Sequence, residues 1–290
     1  MADETKKIVN REYKDRLFKL IFQEKKDLLE LYNAINGTDY NNPEEIEVNT
    51  MEDVVYMGMK NDISFLMKDV LNLYEHQSTF SPNLPLRGLF YFANLFRKIV
   101  GKGGDVYSSK RLELPFPQFV VFYNGTREEP ERQVLHLHDS FSAGSGCEKS
   151  ALDCHAIVLN INLGNNAAIM DRCQRLKEYA IFISCIKRYI NQKIPIIEAV
   201  ETAVSECIEK GILADILRDN REEVTSMLLT EYDEQAHIES ERRIAIEEGK
   251  IEGIILAYRD MGVPDEEILV RLKERFGIKQ EEAEKILKSC

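Results

Sequence analysis

The sequence has no long apolar run. No segment reaches the roughly 18 apolar residues of a membrane span. The opening MADETKKIVNREYK is polar and mixed in charge, without the apolar stretch of a signal peptide. Neither insertion nor export is therefore expected. CxxC is also absent. The six cysteines, at 147, 154, 173, 185, 207 and 290, are irregularly spaced, and the simplest expectation is a cytoplasmic protein with reduced thiols. A basic excess is missing too. Residues 1–165 carry 19 basic and 24 acidic side chains, and residues 166–290 carry 19 and 26, for a net charge of −12. That balance argues against tight non-specific binding to nucleic acid. One local exception sets Arg97, Lys98, Lys102, Lys110 and Arg111 against the single acid Asp105. This stretch either touches phosphates or faces water. There is no low-complexity segment and no convincing internal repeat. GKGG around Lys102 is not a phosphate loop, which needs GxxxxGKS or GxxxxGKT. Gly249 and Gly253 form a GxxxG, but in a charged helix it is not a membrane motif.

The 290 residues suffice for one large domain, or one domain with an appendage, and 44% hydrophobic content allows a real core. Leu17, Phe18, Ile21, Phe22, Leu28, Leu29, Leu31, Tyr32 and Ile35 predict a helix over 10–36, ended by Asn36-Gly37. Short β-like runs follow at 53–59, 62–67, 70–77, 118–125 and 155–164. Between the third and fourth, residues 85–104 fit an amphipathic helix stopped by glycines. Residues 126–154 read as a polar loop. Beyond Asn165 the texture is helical: 167–192, 196–210, a long charged stretch over 213–261 broken at Gly262-Val263-Pro264, then about 265–275 and 279–289. The expected architecture is a mixed α/β domain followed by an all-helical region. We place the boundary at 192/193, with residues 193–290 serving oligomerisation or the binding of a partner or DNA.

The most informative stretch is NLYEHQST, 72–79, where an apolar strand ends on Glu75, His76 and Gln77. Alternation puts Leu71, Leu73, Glu75 and Gln77 on one face, and Asn72, Tyr74 and His76 on the other. A hairpin turning at Lys68-Asp69 pairs residues whose numbers sum to 137, which sets Asp62 opposite Glu75. Like charges so placed are destabilising, and a hard cation between them would explain the pairing. Mg²⁺ suits one or two carboxylates plus waters and phosphate oxygens. Gln77, on the same face, would orient a water or a phosphate oxygen. The alternative is a solvent-facing polar strand end.

In order, NREYKDRLFKLIF, NDISFLM, LYEHQST, NLPLRGLFYFANL, VVFYNG and NLGNN resemble the recombination-promoting nucleases (the Rpn family, also called PD-(D/E)XK nuclease family transposases). The likeness spans about residues 10–192 and, more loosely, the helical tail. It implies a restriction-endonuclease-like core, a central mixed sheet flanked by helices. The implied activity is Mg²⁺- or Mn²⁺-dependent hydrolysis of DNA phosphodiester bonds, linked to recombination or transposition in a bacterial cytoplasm. By this resemblance Asp62 and Glu75 hold the metal, and Gln77 stands at the superfamily's lysine position. Arg87 and Tyr91, on the following helix, sit near the phosphate, with Arg97 and Lys98 as further DNA contacts. An acid from the first helix completes the metal site, with Glu12, Asp15 and Glu30 as candidates. The departure is Gln77, because a neutral amide lacks the lysine's positive charge, although glutamine is usual here in the Rpn group.

A rival expectation is a non-catalytic DNA- or protein-binding assembly factor that retains the nuclease fold. The acidic balance and the missing lysine favour it, and a homodimer through the C-terminal helices fits either reading. Smaller signals point elsewhere. His136 and His138 share a face if LHLH is a strand, but with no third ligand in view surface or packing roles are expected. Cys147, Cys154 and His155 match no structural zinc spacing. Asn124-Gly125 and Asn165-Asn166 are expected as turns.

Overall fold

The computed structural model describes residues 16–48, 63–101, 105–142, 150–229, 250–251, 253–276 and 287. The chain divides into two compact units, Met1–Glu231 and Tyr232–Cys290. The first is an α/β unit around a six-stranded mixed sheet flanked by helices. Its strands are β1 (Ile46–Val48), β2 (Ile63–Met67), β3 (Val70–Gln77), β4 (Phe116–Tyr123), β5 (Arg132–His136) and β6 (His155–Asn160). They lie in the order β1-β2-β3-β4-β6-β5. The β1/β2, β2/β3 and β5/β6 pairs are antiparallel. The β3/β4 and β4/β6 pairs are parallel.

The β2–β3 hairpin has the expected register over its described pairs, from Ile63 opposite Tyr74 to Met67 opposite Val70. Its turn is unusual. Lys68 adopts a left-handed φ of 52°, which costs a non-glycine residue about 1 kcal/mol. Its ammonium lies 4.1 Å from the centroid of the Tyr40 ring and 3.7 Å from the Glu45 carboxylate. Those contacts hold a turn that Lys-Asp would not choose by itself.

The crossover from β3 to β4 carries α3 (Leu84–Gly101), which matches the expected amphipathic helix. It covers the face bearing Leu71 and Leu73, in a core with Tyr91, Phe92, Leu95, Phe119, Val121 and Val158. Gly88 sets how closely the helix lies on the sheet, since a Cβ there would stand 2.6 Å from the Phe119 ring. The opposite face is aromatic. Phe18 lies against Phe122 and Phe22 with centroids 4.9 and 4.7 Å apart, and Phe65 meets Tyr74 edge-on.

Several expected elements differ in detail. The helix expected over 10–36 is two helices, α1 (Arg16–Ile21) and α2 (Lys25–Asn36), with Glu24 extended between them. The apolar spacing jumps from Phe22 to Leu28, and a continuous helix would turn Lys25 and Lys26 inward. As expected, Gly37 closes α2 at φ 66°. The run 53–59 lies outside the described residues. The described strand in that part of the chain is β1, further upstream. The polar stretch 126–154, expected as loop, contains β5, an edge strand whose RQVLH has only two aliphatic residues to signal it. The helix expected over 167–192 is broken at extended Cys173 into α4 (Ala167–Arg172) and α5 (Gln174–Asn191). Asn166 opens α4 in the left-handed region at φ 49°, in line with the expected turn.

The helix α6 (Ile196–Glu209) agrees with expectation. The long helix expected over 213–261 is interrupted at Asn220, after α7 (Ala214–Asp219). A boundary was expected at 192/193, yet α6 and α7 lie within the first compact unit. Their tie to α5 is ionic as well as apolar. Glu206 on α6 accepts from Arg188, Tyr189 and Lys210, and Asp215 on α7 accepts from Arg175 at 2.7 Å. In the second unit, Ile251, Ile255, Ile268, Leu272 and Leu287 form a small core that includes the helix Asp265–Phe276. Among the described residues no helix is long and apolar enough to cross a membrane.

The two carboxylates make the packing of α6 and α7 on α5 acid-sensitive. Hydrogen bonding by Lys210 and Tyr189 holds the Glu206 carboxyl down at about 2, against an ordinary 4.5. Arg175 holds Asp215 at about 2 against 3.8. Both shifts are downward, so their stabilisation is complete above the ordinary values and is lost as pH falls from about 5 toward 2. Glu206→Gln and Asp215→Asn should each flatten the acid limb of a stability-versus-pH curve measured by urea unfolding, and should not alter its slope near pH 8.

Candidate functional site

Glu75 is the most costly residue in the sheet. Its side chain is 1% exposed, yet it lies only two pairs short of the open end of β3. A carboxylate so buried survives only with charge and hydrogen bonds supplied to it. They come from two sides. Gln77, two residues on and on the same face, donates from Nε2 to Glu75 Oε1 at 2.6 Å. Arg87, in the first turn of α3, places Nη2 2.5 Å from the same oxygen. Arg87 in turn donates to the Tyr91 hydroxyl at 3.1 Å, one helical turn on, where residues four apart are neighbours. The Arg87 side chain is 37% exposed, so the cluster opens to solvent through the guanidinium.

The strand ends are held at backbone level. Asn124 N–H donates to the Gln77 carbonyl at 3.0 Å, and Ile161 N–H to the Tyr123 carbonyl at 2.8 Å. Gly125 follows where no side chain fits, since a Cβ would stand 2.3 Å from the Ser78 carbonyl oxygen. The expected turn at Asn124-Gly125 is therefore a close passage of β4's exit beneath that of β3. Gln77 Oε1 and Ser78 Oγ are buried oxygens without a hydrogen-bond partner among the described residues. Glu75 supplies one carboxylate of the kind a hard cation such as Mg²⁺ accepts.

Four of the expected site residues thus meet: Glu75, Gln77, Arg87 and Tyr91. Others do not. Arg97 and Lys98 are exposed near the far end of α3, about 15 Å along the helix from Arg87 at 1.5 Å per residue. Glu30 is on α2, which packs against the other face of the sheet through Tyr32 and Phe65. Its carboxylate accepts from the Gln174 backbone N–H at 2.6 Å, so it caps the first turn of α5. Asp62, Glu12 and Asp15 lie outside the described residues.

The reading by motif missed a second polar cluster, on the opposite face of the same strand ends. Asn124 Nδ2 donates to the Tyr179 hydroxyl at 2.7 Å, and that hydroxyl shares a hydrogen bond of 2.8 Å with His76 Nε2. Lys187 Nζ donates to the Asn124 carbonyl at 2.9 Å and to Asn162 Oδ1 at 2.8 Å. A cavity of about 210 Å³ opens beside Lys187, lined also by Ile161, Ile183 and Ser184. Its asparagines come from loops that look like turns in sequence, and its lysine and tyrosine from a helix 25 to 63 residues further on in the bonded pairs. Only the amphipathic phase of α5 links the last two. The described cysteines 154, 173, 185 and 207 are free thiols. Burial pushes Cys173 and Cys207 up to about 12, which makes them inert as nucleophiles.

No family model, no curated protein and no solved structure matches the chain.

Two substitutions probe this construction. Arg87→Ala leaves a buried charge with less compensation and should cost about 1–3 kcal/mol. Adding Glu75→Gln to it should recover much of that loss, so a double-mutant cycle by denaturant unfolding should return a favourable coupling between the two. Gly125→Ala should lose about 1–3 kcal/mol, as overpacking against a backbone carbonyl requires the strand exits to separate.

Proposed function

We propose that the chain is a metal-dependent DNA endonuclease with a PD-(D/E)XK-type core, acting in DNA recombination or transposition. The observation that carries this reading is Glu75, a buried carboxylate at a sheet end, gathered with Gln77 and Arg87 around one point. A purely structural strand end has no need of that expensive arrangement, and the order of motifs along the chain agrees with it. Asp62, expected opposite Glu75, would join Glu75 in holding Mg²⁺ or Mn²⁺. The ion would supply charge neutralisation at the phosphodiester and a more acidic water.

The chain's own residues divide the remaining work. Glu75 is fixed by two donors and cannot swing away. Gln77 aligns the nucleophilic water through its amide oxygen. The positive charge that a lysine would bring at position 77 comes instead from Arg87, whose guanidinium is already within reach of Glu75 and partly exposed. Its fork suits a phosphate oxygen pair. Tyr91 holds Arg87 in place from behind. Arg97 and Lys98, further along α3, extend the same helix as contacts to the DNA backbone.

A second reading has its own observation. Glu75 Oε1 is already met by both Arg87 and Gln77, so the cluster is closed by protein groups. Such closure, with a net charge of −12, suits a non-catalytic DNA- or protein-binding assembly factor that dimerises through its C-terminal helices.

Supercoiled-plasmid nicking separates the two. With Mg²⁺ or Mn²⁺ the wild type should nick, EDTA should stop it, and Asp62→Ala and Glu75→Ala should each lower the rate at least about a hundredfold, the scale of a lost electrostatic contribution. Absence of metal-dependent nicking, with no rise in Tm on adding either ion, would favour the assembly factor, because an ion that binds only the folded state must stabilise it.

A further inference from the structure

We infer a second, chemically different metal site at the outer edge of the sheet, formed by His136, His138 and Asp153 and selective for Zn²⁺ or a similar first-row divalent ion. One ligand atom from each of the three lies within 4.8 Å of the others. The missing third ligand that left the two histidines unexplained in the sequence is Asp153, brought to them by the pairing of β5 with β6.

The backbone holds this arrangement. His136 ends β5 directly opposite His155, the first residue of β6. Leu137 between the histidines is buried, and its N–H donates to the Cys154 carbonyl at 2.8 Å. With Leu137 plugged inward, His136 and His138 flank it on the outside, their ring centroids 4.9 Å apart. The Cys154 thiol lies on the α3 side, near Gly88, so the sulfur is not a fourth ligand. Asp139 stands 3.3 Å from His138 Nε2. With the ion on Nδ1 it is placed to orient that ring, as carboxylates do for metal-bound histidines.

The donor set chooses the ion. Two imidazole nitrogens and one carboxylate oxygen suit Zn²⁺ and its first-row neighbours, whereas Mg²⁺ prefers an all-oxygen set. Zinc ligand distances of about 2.1 Å require ligand atoms about 3.4 Å apart in a tetrahedron. Rotamer shifts of the exposed His138 and Asp153 close the difference. Three protein ligands leave a fourth position for water. The bound ion would clip the end of the edge strand β5 to the segment leading into β6. β6 has six residues, His155–Asn160, so its five steps put this edge about 16 Å along the strand direction from the strand ends that carry Glu75 and Gln77. The two sites are independent.

The test is calorimetric titration of the chelator-washed full chain with ZnCl₂, and with MgCl₂ in parallel. The expected result is one saturable Zn²⁺ site that Mg²⁺ does not occupy. His138→Ala and Asp153→Asn should each weaken it at least about tenfold, and Glu75→Gln should leave it unchanged. Both substituted side chains are exposed, so far-ultraviolet circular dichroism should confirm unaltered folding. No saturable Zn²⁺ binding below about 100 μM, or binding unaffected by both substitutions, would overturn the site. Loss of the zinc site on Glu75→Gln would overturn its independence from the strand-end cluster.

Discussion

Everything at the open end of the sheet follows from the burial of the Glu75 carboxylate. An ionised group taken out of water must be compensated locally, and β3 itself supplies only the Gln77 amide. The cation has to arrive from the crossover. That requires α3 to lie close over the strand with Arg87 in its first turn. Closeness in turn requires a residue without a Cβ against Phe119, which Gly88 provides. The same economy of space recurs where β4 leaves the sheet, with Gly125 passing under the Ser78 carbonyl. Two glycines and one arginine are thus linked to a single acid.

The strand ends are polar on both faces, but in different chemical keys. On the α3 side the groups are charged and oxygen-rich. On the α5 side they are mostly neutral: two asparagine side chains, a tyrosine and a histidine, with Lys187 donating to two oxygens. A sheet whose parallel strands β3, β4 and β6 end in register, at Gln77, Tyr123 and Asn160, presents both sets along one rim. Ligands of α/β sheets gather beyond the carboxyl ends of parallel strands, and the concentration of polar groups here agrees with that rule.

Much of this was legible in the sequence, because it rests on local periodicity. Alternation in VLNLYEHQ put Glu75 and Gln77 on one face, and the described pairs of the β2–β3 hairpin keep the register expected from a turn at Lys68-Asp69. The apolar phase of residues 85–104 marked α3, while Arg87 and Tyr91 were named on it through the family resemblance. What was not legible depends on distant contacts. β5 is an edge strand, its residues at most half-buried, and its sequence looks like loop. The breaks at Glu24 and Cys173 are phase changes that a composition reading smooths over. Glu30 was a candidate acid by type alone, and its use as a cap for Gln174 depends on a partner 144 residues away. The His136–His138–Asp153 grouping likewise exists only once β5 has paired with β6.

The parallel pairing of β3 with β4 carries a kinetic implication. Val70 meets Val70's hairpin neighbour Met67 across a two-residue turn, but meets Phe116 only after the whole of α3 has been traversed. Non-local pairing pays its loop-closure entropy before it is rewarded, and forms late. The β2–β3 hairpin is thus the early unit, and during its lifetime Glu75 stands in water at the end of an incomplete sheet. Its full enclosure waits for α3 to dock and for β4 to pair alongside. On a ribosome, a chain that has not yet emerged beyond α3 has the acid but not its enclosure, so the arrangement is a property of the finished domain alone.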